Sequence, residues 1–111
     1  FAFPIPIDKI DNYRALSKSV AAIWREHGAL DYREYIGDDM HLEGTLSFTE
    51  NISASKDEVV VFGWVTFESK QSRDMINKKV VADLRVTELM VKSNSGFDAS
   101  RMVYGGFKAF I

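Results

Sequence analysis

A chain of 111 residues with 46% hydrophobic and 13% aromatic side chains has the length of one domain and enough apolar surface for a core, which excludes a disordered segment. A net charge of −2, with no basic run longer than Lys78 and Lys79, excludes the clustered cations that nucleic acid requires. Zero cysteines exclude disulfides, thiolate metal sites and cysteine nucleophiles, and no apolar run approaches the roughly 20 residues that span a bilayer, so a cytoplasmic, membrane-free protein is expected.

The opening FAFPIPID carries Pro4 and Pro6, which cannot donate to a sheet ladder and close a strand near Ile5. Only residues 1–3 are left as strand, too few for a central position, so several further residues are expected upstream. Asp8 is placed to cap a helix over residues 9–27. Within it Ile10, Tyr13, Leu16, Val20, Ile23, Trp24 and His27 recur at three-to-four spacing along one face, and Gly28 supplies C-terminal capping chemistry. Residues 30–36 (LDYREYI) read as a strand, ended by the turn residues Gly37, Asp38 and Asp39. Residues 40–57 are poorly periodic. Leu42, Leu46, Phe48 and Ile52 are too irregularly spaced for a helix and too apolar for a free linker, a pattern expected of a lid or a partner-contacting loop.

Residues 59–67 (VVVFGWVTF) hold β-branched and aromatic side chains without a charge. A strand wetted on one face alternates polar and apolar residues, and this one does not, so it is expected to be covered on both faces. Two long helices cover one face of a small sheet, and a second copy of the chain is the simplest cover for the other. Ser69 then caps a helix over 70–82, with Met75, Ile76, the stem of Lys79, and Val80 inward. Residues 84–91 can form a further short helix with Leu89 and Met90 inward, and 92–96 (KSNSG) form a turn-rich connector. Residues 102–111 finish as a strand in which Gly105 and Gly106 mark a bulge or a close backbone approach. The order is strand, helix, strand, long loop, strand, helix, strand. That is the split β-α-β, ferredoxin-like plan, an α+β fold with both helices on one face of a four-stranded antiparallel sheet.

Residues 24–35 (WREHGALDYREY) and 97–108 (FDASRMVYGGFK) resemble the YbaA-like bacterial family of unknown function. The resemblance continues through Gly37, Asp38 and Asp39, the valine-rich segment at 59–65, and Arg73, Asp74, Asn77, Lys79 and Val80, and so covers nearly the whole chain. It departs at Leu84, where the family tends to have proline after Asp83, and is loose over 42–57. The resemblance implies a dimeric α+β barrel, in which two ferredoxin-like subunits press their sheets together. It implies no activity; the wider superfamily includes cofactor-free monooxygenases, haem-degrading enzymes, lactone isomerases and non-catalytic members.

His27 is the best single candidate for an acid, base or ligand, although a helix C-cap is the preferred reading. Asp38, Asp39 and His41 read as a turn in preference to a metal site, because the remaining ligands are missing at recognisable spacing. Asp74 and Asn77 share a helix face and, with Arg73 and Arg101, either orient a polar ligand or form a paired network, the latter being preferred. Tyr32 and Tyr35 lie on opposite faces of their strand. The ligand-binding candidates are therefore Trp24, His27, Tyr35, Asp74, Asn77 and Arg101, and the dimer-interface candidates Tyr32, Phe62 and Trp64. No nucleotide-binding or metalloprotease motif is present, and neither a metal nor a cofactor is implied. The preferred function is a homodimeric module that binds a small molecule or a protein. The alternative is a cofactor-independent, monooxygenase-like enzyme built around Trp24, His27, Tyr35, Asn77 and Arg101.

Overall fold

The valine-rich segment is the middle strand of the sheet. In the computed structural model, which describes residues 1–111, β1 (Ala2–Pro6) and β2 (Asp31–Ile36) pair antiparallel with opposite edges of β3 (Glu58–Thr66). Around this sheet lie α1 (Ile10–Glu26), the single-turn α2 (Phe48–Asn51), α3 (Lys70–Ala82) and α4 (Leu84–Lys92), with 3-10 turns at Ile7–Lys9 and Ala99–Arg101.

Alternation along the strands sorts the sheet into two faces. The pairs Phe3 with Val61, Ile5 with Val59, Tyr32 with Val65 and Glu34 with Gly63 lie on the face that meets α1. Phe3, Ile5 and Val61 join Tyr13 and Leu16 of α1 in the main core, with Ile5 wholly buried. Phe3 stands edge-on to Tyr13 at 5.4 Å and to Phe97 at 4.9 Å between ring centres. Gly63 interrupts the valines because there is no space for a side chain: a Cβ would lie 2.6 Å from the Arg33 carbonyl and 2.6 Å from the Phe1 ring.

The expected four-stranded sheet and closed dimeric barrel are overturned, because the sheet is three-stranded, open and ordered β1-β3-β2. The strand expected over 102–111 shrinks to one bridge, in which Ala2 and Val103 exchange backbone hydrogen bonds of 3.0 and 2.9 Å. The reason lies in the prolines. Ala2 points its N–H and carbonyl outward to Val103, whereas Phe1 exchanges bonds with Gly63 on the inner side. Backbone direction repeats every second residue, so Pro4 and Pro6 turn their nitrogens to the same outer edge and have no N–H to offer. The prolines do not stop β1, which runs five residues; they stop the sheet from taking another strand. The tail beyond Val103 leaves the sheet, with Tyr104, Phe107, Phe110 and Ile111 exposed.

Smaller differences have equally local causes. Asp8 falls inside the first 3-10 turn and makes no capping bond, and α1 starts at Ile10. Gly28 takes the left-handed conformation, φ +115°, that ends α1. Residues 48–51 form a helical turn because the Ser47 hydroxyl accepts from the Glu50 N–H at 3.1 Å. Ser69 caps α3 in the same way, accepting from Ser72 at 3.0 Å. Ile76 and Val80 are buried beneath α3, whereas Met75 and Met90 are exposed.

On the face away from α1 the chain provides part of the cover assigned above to a second copy. The Phe48 ring of α2 lies 6.0 Å from Phe62, and Val60 is buried. Arg101 grips Glu58 with two hydrogen bonds of 2.6 and 3.0 Å and donates a third to the Ser53 carbonyl, which straps the 97–103 segment to β3. Towards the other end of β3, Phe62 and Trp64 stay 40% and 44% exposed.

The Arg101 bonds, followed by the Ser55 backbone, hold the Glu58 carboxyl down to about 2 from an ordinary 4.5. A carboxyl lowered by folding adds stability that is full above its unfolded value and is lost as pH falls through the folded one. Urea midpoints should therefore fall between pH 4.5 and about 2, and Glu58→Gln should flatten that slope. An unchanged slope in the variant would show that the clip does not hold in solution.

Candidate functional site

β2 is an edge strand, so its helix-facing residues, Tyr32 and Glu34, look into space that only α1 can fill. Tyr13 and Ser17 are four residues apart on α1 and so share a face, one turn apart. Tyr13 donates its hydroxyl hydrogen to one Glu34 carboxylate oxygen and Ser17 donates to the other. Between α1 and β2 a cleft of about 370 Å³ opens over this carboxylate. Ile10, Ala21, Ile36 and Val61 give it apolar walls, and the exposed cations Arg14, Lys18 and Arg25 line its rim. Arg14 pairs with Asp11 at 2.9 Å, and Arg25 donates to the Tyr32 carbonyl at 2.9 Å and sits 3.9 Å from Asp31, whereas Lys18 has no ion-pair partner.

Burial, and after it the charge of Glu34, pushes the Tyr13 phenol far above its ordinary range. The same two causes act in the same order on Tyr32, whose phenol lies beside that carboxylate. Both phenols therefore stay protonated at any ordinary pH and serve as donors, not bases. A carboxylate has about four lone-pair sites; Tyr13 and Ser17 fill two of them, and the Tyr32 phenol stands beside it as a third donor. No buried side-chain polar atom in the protein lacks a partner.

The residues singled out from sequence lie in separate places. Trp24 is half-buried between Tyr32, 6.4 Å away, and Phe67, 6.0 Å away. His27, at the end of α1, directs its side chain to Asp83 at 2.8 Å and not to a free carbonyl. Asp83 also caps α4 and binds Arg85 at 2.7 Å, and Arg85 reaches back to Glu26 at 2.6 Å. Tyr35 borders the cleft from the edge strand, while its ring lies on the sheet face away from α1, 5.3 Å from Trp64. Asp74 is exposed on α3 with Lys70 at 2.9 Å, Asn77 is half-buried one turn on, and Arg101 is taken up by Glu58. Those six do not converge, and the polar constellation expected for an oxygenase-like enzyme is not assembled. Tyr32 lies on the helix side of the sheet, opposite Phe62 and Trp64, so the three interface candidates do not share a face. Asp38, Asp39 and His41 belong to no group of three potential metal ligands.

Tyr13, Ser17 and Glu34 were missed as site residues. The available signal was a polar serine four residues after an inward tyrosine on one helix, and a glutamate two residues after a tyrosine on one strand.

A family model described as a protein of unknown function, DUF1428, matches residues 1–99. The chain is 35% identical over 111 residues to the uncharacterized protein YbaA of Escherichia coli K12, covering 100% of this chain and 93% of that protein. The uncharacterized protein YbaA of Shigella flexneri matches with the same identity and coverage. The similarity spans α1 and β2, and hence both walls of the cleft. It accounts for the resemblance noted at 24–35 and 97–108, but the barrel attached to that resemblance is not the fold observed.

His27, Asp83, Arg85 and Glu26 lie at the helix ends, outside the cleft lining. Asp83→Ala removes a cap, the His27 bond and the Arg85 pair, and should lower the urea midpoint while leaving the amide resonances of Tyr13 and Ser17 in place. Movement of those resonances would join the two regions.

Proposed function

This chain belongs to the DUF1428 family of proteins of unknown function, and we propose that it binds a small organic molecule in the cleft between α1 and β2. The observation that carries the reading is Glu34, half-buried and held from two sides by Tyr13 and Ser17. A carboxylate is drawn inside only where its hydrogen bonds are met, and here part of its accepting capacity still faces an open cleft. The volume and the mix of apolar walls with a few converging polar groups suit a small ligand. Binding is favoured over catalysis because burial and the charge of Glu34 push both phenols up, so neither ionises near pH 7 to act as a base.

A second copy of the chain as partner is a second reading, resting on a different surface. Phe48, Phe62, Trp64 and Tyr35 form a continuous aromatic group, each 40% exposed or more, and the apolar tail at Phe107, Phe110 and Ile111 is almost wholly exposed. Contiguous apolar patches of this kind mark association surfaces in soluble proteins. No barrel closure is required for such a pairing.

A fragment screen followed by amide chemical shifts should give ligands that move Tyr13, Ser17 and Tyr32 together. Tyr13→Phe should weaken those ligands and destabilise the fold by about 1–3 kcal/mol, because it strips one donor from Glu34. Ligands that move only residues outside α1 and β2 would defeat the cleft reading. For the second copy, sedimentation equilibrium at micromolar concentration should report dimers that Trp64→Arg weakens; monomers throughout would defeat it.

A further inference from the structure

We infer that the cleft ligand is a small organic acid that also carries a hydroxyl or amine hydrogen, an inference that rests on the binding reading above. Its donor end would meet Glu34 at the floor and its carboxylate would meet Lys18 and Arg25 at the rim. Three observations select this class. The floor offers an acceptor: Tyr13 and Ser17 donate into Glu34 and the Tyr32 phenol stands beside it, and the carboxylate keeps lone-pair capacity on its cleft side that a ligand hydrogen can take. The rim carries the opposite charge. Lys18 has no carboxylate partner, and Arg25 shares Asp31 only at 3.9 Å, so a positive field is left over the opening. Apolar side chains separate the two ends.

Each simpler ligand fails at one end. An anion without a donor is attracted by the rim but meets a carboxylate of like charge below it. A cation suits Glu34 but must pass Arg14, Lys18 and Arg25. A neutral alcohol satisfies the floor and leaves the rim unanswered. Only a molecule with an acidic end and a donating end satisfies both, and the cleft volume of about 370 Å³ limits it to a compact skeleton such as one substituted ring.

The test uses the full chain and four probes of similar size: 4-hydroxybenzoate, benzoate, benzyl alcohol and benzylamine, titrated while the amide resonances of α1 and β2 are followed. The expected result is that 4-hydroxybenzoate binds at least about tenfold more tightly than the other three and moves Tyr13, Ser17 and Glu34. Lys18→Ala, an exposed change that leaves the core alone, should weaken 4-hydroxybenzoate about fivefold or more and leave benzyl alcohol unchanged. Glu34→Gln should erase the advantage of 4-hydroxybenzoate over benzoate, with a thermal melt confirming that the variant is folded. If benzyl alcohol or benzylamine binds the same residues most tightly, the acid assignment is overturned and the cleft remains a binding site. If Lys18→Ala has no effect on 4-hydroxybenzoate, the rim assignment is overturned. If none of the four moves the cleft resonances at millimolar concentration, both this inference and the binding reading fall.

Discussion

Phe3 and Ile5 of β1 and Val61 of β3 meet Tyr13 and Leu16 of α1, and that contact fixes where the other elements can lie. Full burial of a large apolar side chain is worth about 1.5–3 kcal/mol, so this group outweighs any single hydrogen bond in the molecule. It also sets the rotation of α1. With Tyr13 and Leu16 turned to the β1–β3 pair, the next positions around the helix, Ser17 and Ala21, come over β2. Tyr13 serves both regions: its ring packs on Phe3 and its hydroxyl reaches Glu34. The cleft is thus a by-product of how the core seats one helix on a sheet that extends one strand beyond it.

The opposite edge of the sheet is governed by two missing hydrogens. Pro4 and Pro6 pair with β3 through their neighbours and present an outer edge without donors. Natural sheets blunt their edges in this way, which limits uncontrolled pairing with other chains. The consequence for the tail is direct. Val103 takes the one site left, at Ala2, and the apolar residues after it find no ladder to join. The 97–103 segment is held instead by an ion pair, Arg101 with Glu58, and by Phe97 against Phe3.

Charge is distributed with the same economy. The end of α1 is fastened to the α3–α4 corner by His27, Asp83, Arg85 and Glu26, a chain of contacts that consumes its own polar groups. Around the cleft the accounts are left open, with spare acceptor capacity at Glu34 and an unpaired cation at Lys18. The two regions contain similar residue types, and only the second has chemistry to spare for a ligand.

Much of the fold was legible in the chain. The apolar stripe from Ile10 to Trp24 specifies α1, Ser69 specifies the start of α3, Gly28 ends α1, and the uncharged run beginning at Val59 lies in the central strand, Glu58–Thr66. These signals are local, because helix period, capping and strand alternation act over a few residues. Family membership was legible in the same way, from short blocks at 24–35 and 97–108. The tertiary structure decided the rest. A terminal segment with strand-like residues did not become a strand, because the edge it needed belongs to prolines about a hundred residues earlier. Glu34 gained its meaning from Tyr13, 21 residues away, and Arg101 was removed from the site by Glu58, 43 residues away. Periodicity states which face of an element is buried, but only the packed register of one element on another determines which polar side chains meet there.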